Sequence, residues 1–133
     1  MILLIEIETE KNMQIVDITS KVEEAVDASD VQEGICLIYT IHTTTGIVVN
    51  EAESGLIHDI LRRLASLVPT GEGYLHDKID SNAHSHLQAI LLGNSQILPV
   101  IDGKLNLGTW QKVLFIELDG PRRRKVLVKV IPE

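Results

Sequence analysis

A single cysteine, Cys36, stands among 133 residues, so no disulfide can form within the chain. Its neighbours Ile35, Leu37 and Ile38 mark it as a small buried hydrophobe, and a reducing, cytoplasmic setting fits. Aromatic residues are equally scarce: Tyr39, Tyr74, Trp110 and Phe115 are the whole complement, too few to build a stacking platform for bases. Positive charge is in short supply as well, with 12 Lys and Arg against 19 Asp and Glu and a formal net charge of −7. The broad positive field behind general nucleic-acid affinity is therefore missing. No apolar run approaches the ~18 residues of a membrane span, and the opening MILLIEIE has no basic leader before Glu6 and Glu8. Neither nucleic acid nor membrane is expected as a partner.

What is present is a folding sequence. A hydrophobic share of 44% with mean hydropathy +0.15 describes a globular chain, and this length predicts one domain, 1–133, whose core needs no structural metal. Leu3, Ile5 and Ile7 alternate with Leu4, Glu6 and Glu8 as in a half-buried strand, and Met13 to Ile18 reads as its partner. Ser20-Lys21-Val22-Glu23 has the capping-box pattern and predicts a short helix to about Ser29. Ile35 to Ile41 reads as a strand buried on both faces, with Ile47 to Asn50 as its antiparallel return. Ile57, Ile60, Leu61, Leu64, Leu67 and Val68 keep the helical period from Ser54 to a stop at Pro69. A third helix is expected from Asn82 to Gly93, burying Ala83, Leu87, Ile90 and Leu91. Asp102-Gly103 and Asp119-Gly120-Pro121 then punctuate a β-rich last third. Hairpins without regular crossovers predict an α+β fold with a mostly antiparallel sheet system.

Five histidines carry the chemical interest: His42, His58, His76, His84 and His86. His58 lies off the apolar stripe of its helix and is expected in solvent, whereas His42 ends a predicted strand and His76, His84 and His86 crowd a loop and helix start. Residues two apart on a helix point ~200° apart, so His84 and His86 cannot chelate one ion from a formed helix. A three-histidine set would suit zinc or another borderline divalent metal with one position open. Glu51 and Asp59 are candidates for proton transfer, although Glu51 and Glu53 are equally explained as acids favouring a helix N-terminus. For phosphate, Thr43, Thr44 and Thr45 with Gly46 offer hydroxyls and amides, and Arg122 to Lys125 is a dense cationic run. In a strand, Arg122 and Arg124 would share one face. A charge-protected edge strand accounts for the same run.

Taken in order, His42-Thr43-Thr44, Asn50-Glu51, Asp59, Tyr74 with His76, the Ser85-His86-Leu87 element, Leu92-Gly93, Leu107-Gly108-Thr109-Trp110-Gln111 and Gly120-Pro121-Arg122 with Arg124 resemble the YjbQ-like family over nearly the whole chain. The resemblance implies a two-sheet, mostly antiparallel α+β sandwich with about three helices, assembled as a homotrimer. It also implies a secondary thiamine-phosphate synthase, joining hydroxymethylpyrimidine diphosphate to hydroxyethylthiazole phosphate with release of diphosphate. Carried over position by position, His76, His86 and His42 would hold a divalent metal, zinc among the candidates. Glu51, Asp59 and His42 would be catalytic, and Thr43, Thr44, Trp110, Gln111, Arg122 and Arg124 would hold a small phosphorylated substrate. Thr45 stands where relatives usually have Ala. Two other readings fit these residues: a metal-dependent hydrolase of a small phosphorylated substrate, and a non-catalytic trimer that binds a metal or small ligand.

Overall fold

The computed structural model describes residues 2–133. These form eight strands in two antiparallel sheets with three α-helices. The strands are β1 (Ile2–Glu8), β2 (Gln14–Asp17), β3 (Gly34–Thr40), β4 (Thr45–Asn50), β5 (Ser95–Ile101), β6 (Lys104–Leu105), β7 (Lys112–Glu117) and β8 (Arg123–Pro132). The helices are α1 (Thr19–Ser29), α2 (Ser54–Leu67) and α3 (Ala83–Leu92), with a 3₁₀ turn at Leu75–Lys78 before α3. The larger sheet runs β1-β8-β3-β5-β6 and the smaller β2-β7-β4. The α+β two-sheet architecture expected from the sequence is the one observed.

Alternation decides which side chains meet. Ile5 and Ile7 on β1, Cys36 and Ile38 on β3, and Val126, Val128 and Val130 on β8 turn inward from the larger sheet. Ile47 on β4 and Val113 and Phe115 on β7 meet them from the smaller one, and α1 closes the core with Val22, Ala25 and Val26. Each fully buried Ile, Val or Phe side chain contributes roughly 1.5–3 kcal/mol. A second cluster lies on the outer face of the smaller sheet, where Ile116 and Leu118 pack against Leu64 of α2 and Ala89 of α3. Cys36 is fully buried, and burial pushes its thiol up to about 11, leaving it inert at neutral pH.

Four expectations are corrected. β2 does not pair with β1: β1 pairs with β8, and β2 with β7 in the other sheet, where Met13 and Ile15 face α2 and α3. β4 does not return along β3; it pairs with β7, because the chain leaves the larger sheet at Thr40 and crosses to the smaller through His42–Thr44. β3 is buried on one face only, with Ile35 and Tyr39 exposed on the other. On α3 the buried face is Ala83, Ser85, Gln88 and Ala89, while Leu87, Ile90 and Leu91 are exposed. Polar bonds set that rotation: the Ser85 hydroxyl donates to the Leu118 carbonyl (2.8 Å), and Gln88 Nε2 donates to the carbonyls of Leu64 (3.3 Å) and Val68 (3.0 Å).

Helix starts differ in detail. No capping box forms on α1; the Asp17 carboxylate accepts from the Thr19 N–H (3.0 Å) and hydroxyl (2.6 Å) instead. α2 is capped by Glu53, whose carboxylate accepts from the Gly55 and Leu56 amides, and these bonds hold it below the usual carboxylate range. The hairpin at Asp102-Gly103 has φ of 52° and 75°, as a type I′ turn requires.

Candidate functional site

At one end of the inter-sheet core the facing side chains become polar. The residues that continue the apolar rows are Glu117 after Phe115, Arg124 before Val126, Thr45 before Ile47 and Thr40 after Ile38. Glu117 is fully buried and Arg124 nearly so. They form a bidentate pair in which Arg124 Nε donates to Glu117 Oε1 (2.8 Å) and Nη2 to Oε2 (2.5 Å). The Thr9 hydroxyl donates to the same Oε1 (2.8 Å) and the Asp119 amide to Oε2 (3.1 Å). Burial alone would raise the Glu117 carboxyl, but the Arg124, Thr9 and Asp119 bonds outweigh it and hold the group below the usual range. Arg124 Nη2 also donates to Thr44 Oγ1 (2.9 Å), which anchors the crossing segment, and Thr45 shares a hydroxyl–hydroxyl bond with Thr40 (2.8 Å).

Above this layer the crossing segment opens onto a cleft of about 510 Å³ lined by His42, Thr43, Thr45, His86, Ala89, Ile90, Gly93 and Asn94. His42 is fixed at its edge. β3 leaves β8 beyond the Thr40↔Val126 pair, so the next β3-facing amide of β8, that of Lys125, has no strand carbonyl to meet. His42 Nε2 accepts that N–H at 2.9 Å. Burial first, and the nearby Arg124 charge second, hold the His42 imidazole below its ordinary value, with Glu117 offsetting part of the effect.

Beside the cleft, His86 meets His76 edge to face with ring centroids 4.8 Å apart. His76 is held from behind: its Nε2 lies 3.0 Å from Asn82 Oδ1, Asn82 Nδ2 donates to Asp119 Oδ2 (2.9 Å), and Arg122 Nη2 donates to that same oxygen (3.2 Å). α3 begins at Ala83, so His84 and His86 do diverge, and His84 points instead to Ser85, with Nε2 3.4 Å from the hydroxyl. His58 is in solvent, as its position predicted.

The structure thus joins His42, Thr43 and His86 around one cleft, with Thr44 behind it and His76 adjoining. It does not join the rest. Arg122 and Arg124 do not act from one face: Arg122 lies in the turn before β8, tied to Asp119, and Arg124 is spent on Glu117 and Thr44 inside the core. Glu51, Trp110 and Gln111 sit at the opposite end of the smaller sheet, where Asn50 pairs with Lys112. The length of β4, ~17 Å, separates them from the Thr45 end. Asp59 is on the solvent face of α2, 3.6 Å from His58. Among the described residues no three His, Cys, Asp or Glu side chains converge as a metal site. The His42 Nε2 lone pair is already used, so the three-histidine set does not fit this arrangement within one chain. Glu117 is the principal residue that sequence reasoning missed. Its signal was available, since it shares the inward face with Val113 and Phe115, and a carboxylate there requires a buried partner.

Two antiparallel sheets, α2 and α3 on the outer face of the smaller one, and a histidine–threonine cleft where the chain crosses between the sheets define a small α+β two-sheet protein. Residues 4–133 match the family model described as UPF0047 protein YjbQ-like, and the chain belongs to that family. A UPF0047 protein of Archaeoglobus fulgidus is 54% identical over 125 residues, covering 94% of this chain and 97% of that protein. UPF0047 protein YugU of Bacillus subtilis is 37% identical over 132 residues, covering 98% and 99%. The crystal structure of a YbjQ-like protein of unknown function from Sulfolobus solfataricus superposes with a TM-score of 0.98 at 42% identity, over 100% of this chain and 97% of that one. That of a YjbQ/UPF0047 family protein from Clostridium acetobutylicum gives 0.93, also at 42% identity, over 97% and 99%.

Proposed function

We propose that the chain is an enzyme acting on a small phosphorylated substrate in the His42–His86 cleft, and that its reaction is thiamine-phosphate coupling. The observation that carries the substrate class is the cleft itself. Its volume of about 510 Å³ suits a small molecule, and the imidazoles of His42 and His86 and the hydroxyls of Thr43 and Thr45 line it. Joining a pyrimidine diphosphate to a thiazole phosphate breaks a carbon–oxygen bond, forms a carbon–nitrogen bond and releases diphosphate. The protein's part is to hold the two reactants in line and to donate hydrogen bonds to the departing oxygens. His42, Thr43 and His86 are positioned for the second task.

We further propose a homotrimer in a cytoplasmic setting. The outer face of the larger sheet supports assembly, since Ile35 and Tyr39 on β3 and Ile97 on the neighbouring β5 are exposed there, with Ile2 and Leu4 on β1 beyond β8. Cys36 as an unpaired thiol supports the compartment. Among the described residues no helix is long and apolar enough to cross a membrane.

The test is to supply both precursors, with and without Mg²⁺ or Zn²⁺, and to look for thiamine phosphate. Product that disappears in His86→Ala supports the reading. No product from folded protein under any of these conditions refutes the coupling reaction. Inorganic phosphate released from either precursor would then favour the hydrolase, and saturable binding without turnover the non-catalytic trimer.

A further inference from the structure

His42 can donate to a ligand in the cleft from only one of its two ring nitrogens, and the hydrogen bonds around it decide which. A neutral imidazole has one N–H and one lone pair, and whichever nitrogen accepts a hydrogen bond leaves the proton on the other. His42 Nε2 accepts the Lys125 backbone N–H at 2.9 Å. A backbone amide can only donate, so this contact, unlike one to a hydroxyl, cannot reverse its direction.

The contact is also rigidly placed. Lys125 lies in β8 between two residues whose side chains are fully engaged: Arg124 in the Glu117 pair, and Val126 in the core. Arg124 in turn bonds Thr44, two residues beyond His42, while the Leu118 amide donates to the Thr44 carbonyl (3.1 Å). Both the imidazole and the strand edge it meets are therefore tied to one buried ion pair.

We propose that this frame makes His42 a fixed Nδ1–H donor to the oxyanion of the ligand, and that Glu117 and Arg124 are the positioning residues that hold it in that form. The inference rests on the reading that the cleft takes a phosphorylated ligand. It departs from the two roles expected of His42. A proton-accepting base or a metal ligand needs a free lone pair, and the neutral ring bonded in this way has none. A neutral donor to a phosphate oxygen needs no protonation step.

Imidazole nitrogen NMR on the ¹⁵N-labelled protein reads the tautomer directly, and inorganic phosphate serves as the probe ligand. The expected result is an Nδ1–H, Nε2-unprotonated His42 in the free protein, with the Nδ1–H signal moving on phosphate addition. An Nε2–H tautomer in the free protein overturns the proposal. Phosphate that moves the His86 and Thr43 signals but leaves His42 untouched also overturns it while sparing the cleft. Phosphate that moves none of the three removes the cleft reading as well.

A side-chain series gives an independent readout. Asn carries its amide nitrogen at the distance of Nδ1 from the backbone and Gln at that of Nε2. His42→Asn is expected to keep phosphate affinity within about threefold, and His42→Gln and His42→Ala to lose about tenfold or more, the range for a hydrogen bond to a charged acceptor. Equal losses in all three overturn the donor role. For the positioning pair, Thr44→Val removes the Arg124 contact without unpairing Glu117. A folded Thr44→Val protein, checked by its amide spectrum, is expected to show a mixed His42 tautomer. An unchanged tautomer would overturn the positioning role of the pair.

Discussion

Removing one partner of the Glu117–Arg124 pair should be far more damaging than removing both. Glu117 is 0% and Arg124 5% exposed, and between them they make three hydrogen bonds to Thr9, Asp119 and Thr44 besides the bidentate pair itself. Glu117→Leu strands a guanidinium in the core, and Arg124→Met strands a carboxylate. Each is expected to destabilise by about 3–5 kcal/mol. The double variant buries no charge and extends the apolar rows of Phe115 and Val126, so its loss is expected to stay under about 3 kcal/mol, mostly from the unpartnered Thr44 hydroxyl and Asp119 amide. A coupling of about 3 kcal/mol or more between the two positions follows, a large part of a total stability of about 5–15 kcal/mol. The assay is urea unfolding at one fixed protein concentration, because self-association would otherwise shift the midpoint. Additive losses, or a single variant that loses less than about 1 kcal/mol, would show that water reaches this pair and would refute the reasoning.

Other expectations concern acid, backbone and assembly. Glu117 and His42 both titrate below their ordinary values of 4.5 and 6.5 in the folded chain. Each contribution is complete above the ordinary value and is lost as pH falls through the lower folded one. Stability measured against pH should thus fall in two windows; Glu117→Gln should abolish the more acidic one and His42→Asn the other, and unchanged slopes would contradict the assignment. In Gly34→Ala the new methyl would lie 2.1 Å from the Ile131 carbonyl oxygen, forcing β3 and β8 apart at a cost of roughly 3 kcal/mol or more. Gly71→Ala, with φ 71° but open space, should cost only about 1–2 kcal/mol by the same unfolding assay. Tyr39→Glu with Ile97→Glu charges the outer face of the larger sheet. Light scattering should report a trimer for the parent chain and a folded monomer for the variant, and a monomeric parent would refute the assembly.

Local pattern exposed the elements more readily than their partners. The alternation in β1 and the 3.6-residue period of α2 each depend on burial along one segment, and both were read correctly. The pairing of β2 and β4 is not legible locally because both belong to β7, a strand about a hundred residues from the first and more than sixty from the second, and nothing local records such a register. The face of α3 is hidden for a different reason. Leu87, Ile90 and Leu91 look like the core by composition, but Ser85 and Gln88 have carbonyls to satisfy on Leu118, Leu64 and Val68, and those bonds turn the helix. The site shows the same division. His42, Thr43 and His86 could be singled out by position, whereas the use of Arg124 could not be known without Glu117 opposite it.

The residues by which the chain resembles its family serve two ends of the molecule. The His42-Thr43-Thr44 segment, His76 and His86 gather at the Glu117 end of the smaller sheet, and Asn50-Glu51 and the Leu107–Gln111 loop gather at the Lys112 end. With ~17 Å of strand between them, Trp110 and Gln111 cannot touch a ligand in the cleft of their own chain. Gln111 has a nearer task, since its Oε1 accepts the Gly108 amide at 2.8 Å while its own amide donates to the Gly108 carbonyl at 3.1 Å. Those two hydrogen bonds close the loop on itself and leave Trp110 72% exposed. The Leu-Gly-Thr-Trp-Gln stretch, the most distinctive in the sequence, is therefore accounted for by the shape of a turn that presents one aromatic side chain outward, and substrate contact in the same chain is not needed to explain it.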